Sequence, residues 1–98
     1  MQRNITRKSI NEYKQYLFAA EKAKATVTKY INEAERLAEY LNGNQLSKRA
    51  LLEYREILAE NFSSRTVNTK LAAINGYLSF IGADEYKVQL LKVQRRAF

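Results

Sequence analysis

The chain has no cysteine, histidine, proline or tryptophan, and only three glycines. Without cysteine there is no disulfide framework and no thiolate metal site, which fits a reducing compartment and leads us to expect a cytoplasmic protein. Without histidine, and with Asp84 as the sole aspartate, the usual metal-ligand and acid–base sets are missing, so neither a metal nor another cofactor is expected. A serine nucleophile would lack its usual base, and no glycine-rich loop is present to cradle phosphates. No apolar run approaches the roughly 18 residues of a membrane span, and the opening MQRNITRKS has no secretory apolar region. No membrane partner is expected. The scarcity of helix breakers points to an all-α chain with short connections.

What is present is positive charge. Seventeen Lys and Arg oppose ten Asp and Glu, a net +7 over 98 residues. A basic domain of this size suggests nucleic acid first and anionic membrane second. The charge is also segregated. Six glutamates fall in two interior blocks, Glu33, Glu35 and Glu39, then Glu53, Glu56 and Glu60. Cations gather from Arg3 to Lys14, from Lys22 to Lys29 and from Lys87 to Arg96.

Helical periodicity divides the chain into four. Residues 1–8 are basic and polar and are expected to form a flexible arm. Ser9 and Glu12 have capping-box spacing before a stripe of Ile10, Tyr13, Leu17 and Ala20, predicting a first helix over Ile10–Glu21. The stripe drifts near Lys22–Ala25, and Thr26 and Thr28 suit a cap, so a second helix is placed at Thr26–Leu41. Asn42, Gly43 and Asn44 signal its end. Ser47 caps a third helix, Lys48–Glu60, with Leu46 as a possible staple. Its Glu53, Glu56 and Glu60, beside Arg49 and Arg55, read as ordinary solvation.

The fourth helix, Ser64–Ile81, carries the strongest signal. Ser63 and Ser64 stand at the cap, Val67, Leu71, Ile74, Leu78 and Ile81 form one stripe, and Gly82 stands where a left-handed residue is wanted. The expected core is Leu17, Leu37, Leu41, Leu51, Leu58, Leu71, Ile74 and Leu78. Tyr13, Tyr30 and Tyr54 fall in apolar stripes and read as core; Tyr16, Tyr40, Tyr77 and Tyr86 read as rim or linker residues. None reads as a catalytic nucleophile.

The opposite face of the fourth helix is small or polar, with Arg65, Asn68, Thr69, Ala72, Asn75 and Gly76, and Lys70 on its flank. No acidic residue occurs from Asn61 to Ala83. Cations near a helix N-terminus oppose the macrodipole, at about 0.3–1 kcal/mol each. A face that accepts this cost suits an anionic surface, although plain solvation produces similar faces. The second helix has the same inverted pattern, with Lys24 and Lys29 at its start and glutamates toward its end. Lys24, Thr26, Thr28 and Lys29 with Arg65, Asn68, Thr69 and Lys70 are therefore the candidate DNA-binding residues; Lys24, Thr28, Lys29, Arg65, Thr69 and Lys70 are expected to share one continuous basic face. Ala72 and Gly76 would let that face approach closely. The tail, Asp84 to Phe98, mixes apolar and basic residues and reads as an extended linker without a packing partner of its own.

Two stretches carry a family resemblance. Thr26, Val27, Thr28, Lys29 and Tyr30, followed by Leu37 and Leu41, resemble the start of the core-binding domain of tyrosine recombinases, the phage integrase family. Ser63, Ser64, Arg65, Thr66, Val67 and Asn68, running into Leu71, Ala72, Ala73, Ile74, Tyr77, Leu78 and Phe80, resemble that domain's fourth helix. The resemblance covers Ser9 to Gly82, with a departure at Ala23, where many relatives carry a serine. It implies a small SAM-like four-helix bundle, residues 9–83, whose second and fourth helices face double-stranded DNA. It further implies that residues 84–98 lead to the molecule's own catalytic domain, which closes the clamp and holds the family's catalytic residues. This stretch would then be a monomeric, non-enzymatic part of a site-specific recombinase from a mobile genetic element. The alternatives are a helical protein-interaction adaptor, whose groove would be apolar, and, more distantly, a basic membrane-surface helix.

Overall fold

A computed structural model describes residues 4–92. Four α-helices, α1 (Arg7–Ala19), α2 (Lys24–Leu41), α3 (Lys48–Asn61) and α4 (Ser64–Phe80), are followed by a short 3₁₀ turn, Asp84–Tyr86, and an extended segment. There is no strand among the described residues.

Most boundaries follow from caps. Ser47 accepts a hydrogen bond from the Ala50 N–H at 3.0 Å and Ser63 one from the Thr66 N–H at 3.3 Å, so α3 and α4 begin as expected. The first helix begins earlier than its sequence suggests. Thr6 is the cap: its Oγ1 accepts from the Ser9 N–H at 3.0 Å, while Ser9 Oγ accepts from the Thr6 N–H at 3.1 Å. Ser9 is thus the third helical residue, and Arg7 and Lys8, assigned to an arm, are helical; residues 1–3 lie outside the described chain.

Two helices stop by the same device. After α4, the Gly82 N–H donates to Ser79 O and the Ala83 N–H to Leu78 O, with Gly82 left-handed at φ 76°. After α1, Glu21 and Lys22 make the matching bonds to Phe18 O and Leu17 O, but the left-handed residue is Glu21, at φ 59°. This is the Schellman geometry, in which glycine is preferred. The break falls at residues 20–23, so α2 starts two residues before its expected position, on Ala23, which supplies no side-chain cap.

All eight expected core residues are buried. Leu71, Ile74 and Leu78 of α4 pack with Leu37 and Leu41 of α2 and Leu51 and Leu58 of α3. Tyr77 turns the other way, into a second cluster with Ile10, Tyr13 and Leu17 of α1 and Val27, Ile31 and Ala34 of α2. Tyr77, expected at the rim, is fully buried; its hydroxyl lies 2.6 Å from Ser9 Oγ and its ring meets Tyr13 edge-on at 5.4 Å. The reason is that α4 is covered from both sides, so its apolar stripe is wider than the Val67–Leu71–Ile74–Leu78 line.

The same width explains a second correction. Lys70, expected on the basic face, is buried, and its Nζ donates to Glu33 Oε2 of α2 at 3.0 Å and lies 4.7 Å from the Phe62 ring centroid. A cation–π contact and an ion pair hold it inside the bundle.

The described part of the tail, a 3₁₀ turn followed by extended chain from Lys87, is docked. Val88 is buried in the α3–α4 core. Asn75 Nδ2 donates to Val88 O at 2.9 Å and Asn75 Oδ1 accepts from the Val88 N–H at 3.2 Å. Asn68 makes the same pair of bonds with Leu91, at 2.9 and 2.6 Å. From α3, Arg55 donates to Gln89 O at 2.8 Å and Lys48 to Lys87 O. The expectation of a tail without a packing partner is therefore corrected for residues 84–92; residues 93–98 lie outside the described chain.

Candidate nucleic-acid interface

A groove of about 520 Å³ runs between α2 and α4, lined by Thr26, Lys29, Tyr30, Arg65, Asn68, Thr69 and Ala72. Five of the eight candidate residues line it, contributed by the first two turns of α2 and α4. Lys29, Arg65 and Thr69 are exposed, Thr26, Tyr30 and Asn68 half-buried. No carboxylate lines the groove, and among the described residues neither Lys29 nor Arg65 has an ion-pair partner. Two uncompensated cations therefore share one concave surface with hydroxyl groups. Thr69 Oγ1 donates to Arg65 O at 3.0 Å, which leaves its lone pairs as acceptors.

The expected single face of Lys24, Thr28, Lys29, Arg65, Thr69 and Lys70 does not form. Lys24 and Thr28 line a separate depression of about 270 Å³ between α1 and α2, with Lys14, Phe18, Asn32 and Glu35 among its walls. Lys70 is inside. Asn68 reaches the groove wall, but its carboxamide is engaged by the Leu91 main chain.

Gly76 also has a different role from the expected one. A Cβ there would stand 3.1 Å from the Tyr13 hydroxyl, so the missing side chain admits α1 against α4 rather than opening the groove. Tyr30, read as core, is half-buried: it packs against the cluster around Tyr77 and also lines the groove.

The buried tyrosines are not acid–base groups at neutral pH. Burial, with Tyr30 and Tyr16 nearby, pushes Tyr13 up to about 12, and burial with the Glu33 charge pushes Tyr54 up to about 12. Burial raises Tyr77 too. Among the described residues no His, Cys, Asp and Glu cluster could hold a metal, and no helix is long and apolar enough to cross a membrane.

Four helices with this order and these caps make an all-α, SAM-like bundle. Residues 10–85 match the family described as "Phage integrase, N-terminal SAM-like domain", and the chain belongs to it. No curated protein and no solved structure matches the chain. The match spans α2 and α4 in full, and so includes every residue of the α2–α4 groove.

Proposed function

We propose that the α2–α4 groove seats the phosphate backbone of double-stranded DNA, and that the chain is the core-binding domain of a site-specific tyrosine recombinase. The observation that carries this is the convergence of Lys29 and Arg65, from two helices, on one groove without a carboxylate. Phosphate contacts position a protein on the duplex, and two cations with Thr26 and Thr69 hydroxyls supply that kind of contact. Lys24 and Thr28, on the other side of α2, meet a separate stretch of the backbone in this reading. Lys70 is assigned to the interior instead.

In this reading residues 9–83 are the gripping unit, residues 84–98 connect to the molecule's own catalytic domain, and this stretch performs no chemistry alone. It works as a monomer in the cytoplasm, during DNA integration or recombination by a mobile element. Isolated, it binds duplex DNA at roughly 10⁻⁴–10⁻⁶ M, the range of non-specific contacts at physiological salt. Titration with duplex DNA across a salt series tests this. Lys29→Ala and Arg65→Ala should each reduce the slope of log affinity against log salt by about one. Slopes unchanged in both variants, with helix content intact, would remove the groove from DNA. Binding indifferent to salt would favour an adaptor role.

A further inference from the structure

Among the described residues, Asn68 both lines the α2–α4 groove and hydrogen-bonds to the docked tail. Its carboxamide donates to Leu91 O and accepts from the Leu91 N–H. A donor and an acceptor side by side are also what the major-groove edge of adenine offers, as N6–H and N7, and asparagine is the side chain matched to it. The Leu91 peptide thus occupies the hydrogen-bonding edge that adenine would need.

The tail's register makes this specific. Asn68 and Asn75 are two helical turns apart, a rise of about 10.5 Å, and Val88 to Leu91 spans about 10 Å in extended form. The two clamps therefore fit together without strain. They differ in burial. Val88, held by Asn75, is buried, whereas Leu91 is half-buried between exposed Leu90 and Lys92. Asn75 does not line the groove.

We propose that the Leu91 main chain masks Asn68, so that the seated tail restricts the groove to backbone contacts and its release exposes an adenine-reading amide. This rests on the groove being a DNA site. With the tail seated, the groove presents cations, hydroxyls and the Tyr30 side chain. With Leu91 lifted and Val88 still anchored, Asn68 Oδ1 and Nδ2 become available to a base.

Leu91→Pro deletes the N–H that Asn68 accepts, replaces no groove-lining side chain, and leaves Leu90 in the extended form that a following proline favours. Wild type, Leu91→Pro and the double variant Leu91→Pro/Asn68→Ala are each used to select from a randomised-sequence DNA duplex pool at low salt. The expected result is no base preference for wild type, adenine enriched about tenfold at one position for Leu91→Pro, and loss of that enrichment in the double variant. DNA retained by Leu91→Pro without adenine enrichment overturns the masking and leaves the groove reading intact. Equal adenine enrichment by wild type overturns it as well. Failure of all three folded proteins to retain DNA overturns both. Should Leu91→Pro lose helical circular dichroism, Asn75→Ala weakens the same tail from outside the groove; it should enrich adenine to a lesser degree, and no enrichment there overturns the masking.

Discussion

Glu33 of α2 and Lys70 of α4 form an ion pair at 3.0 Å with only 6% and 10% of their side chains exposed. Arg36 lies 4.0 Å away, and Glu33 Oε1 has no hydrogen-bond partner among the described residues. Removing one partner from such a pair strands the other charge. Lys70→Ala should cost about 3–5 kcal/mol, whereas Glu33→Leu/Lys70→Met should be neutral or stabilising. Denaturant unfolding of both variants checks this. A single variant as stable as wild type would mean that the pair is solvated.

The helix junction around residues 20–23 should be improvable. Glu21 occupies a left-handed position that costs an L-residue roughly 1–2 kcal/mol, partly offset by the greater freedom glycine loses on folding. Glu21→Gly should therefore stabilise by about 0.5–1 kcal/mol. Ala23 leaves α2 without a side-chain cap, and Ala23→Ser should add about 1 kcal/mol. Thermal unfolding midpoints of the two single variants should both rise; a fall in either would place the α1–α2 turn elsewhere.

What the sequence made legible and what it did not divide along physical lines. Ser47, Ser63 and Gly82 were readable because each stands beside an apolar stripe and acts through local backbone bonds. Thr6 was not, because Ser9 also has cap spacing and only the folded chain decides between them. Lys70 and Tyr77 were misplaced because a stripe counted from Val67, Leu71, Ile74 and Leu78 assumes one covered side. Their positions, three residues after Val67 and Ile74, lie in a stripe wide enough for a helix covered from both. A Glu and a Lys inside two such stripes are a readable sign of a buried pair. Five groove residues were legible as cationic or polar side chains in the first two turns of α2 and α4, yet the split that sends Lys24 and Thr28 to the other side of α2 depends on helix rotation. The docking of residues 87–92 had only Val88 and Leu91 as a signal in its own side chains, since Asn68, Asn75, Arg55 and Lys48 bind its main chain.

Alkaline pH should unfold the bundle through its tyrosines. Tyr13 and Tyr54, raised from the ordinary 10 to about 12, keep their protons in the folded state after the unfolded chain has lost them. The folded state then binds more protons than the unfolded one, so stability falls as pH rises. The contribution is fully present below pH 10 and is lost between about 10 and 12, on the order of 2 kcal/mol per tyrosine. Chemical unfolding at pH 8 and pH 11 should show the loss, and Tyr54→Phe, which cannot ionise, should reduce it. Stability equal at the two pH values would mean that neither hydroxyl is desolvated.

Hydrogen exchange should separate the docked tail from a free one. The amides of Val88 and Leu91 both donate to asparagine side chains, at 3.2 and 2.6 Å. Val88 also buries its side chain against the α3–α4 core, so its amide can exchange only when the segment detaches. Both amides should exchange more slowly than those of Gln89 and Leu90. Asn75→Ala removes the two bonds to Val88 while leaving the apolar contact, and the remaining clamp at Leu91 lies at the more exposed end. Protection at both positions should then drop, Val88 by the larger factor. The α1 amides, packed in the other cluster around Tyr77, should be unaffected. Exchange at Val88 and Leu91 as fast as in an unstructured peptide, in the wild-type protein, would mean that the segment is not held and that Asn68 is open to the groove from the outset.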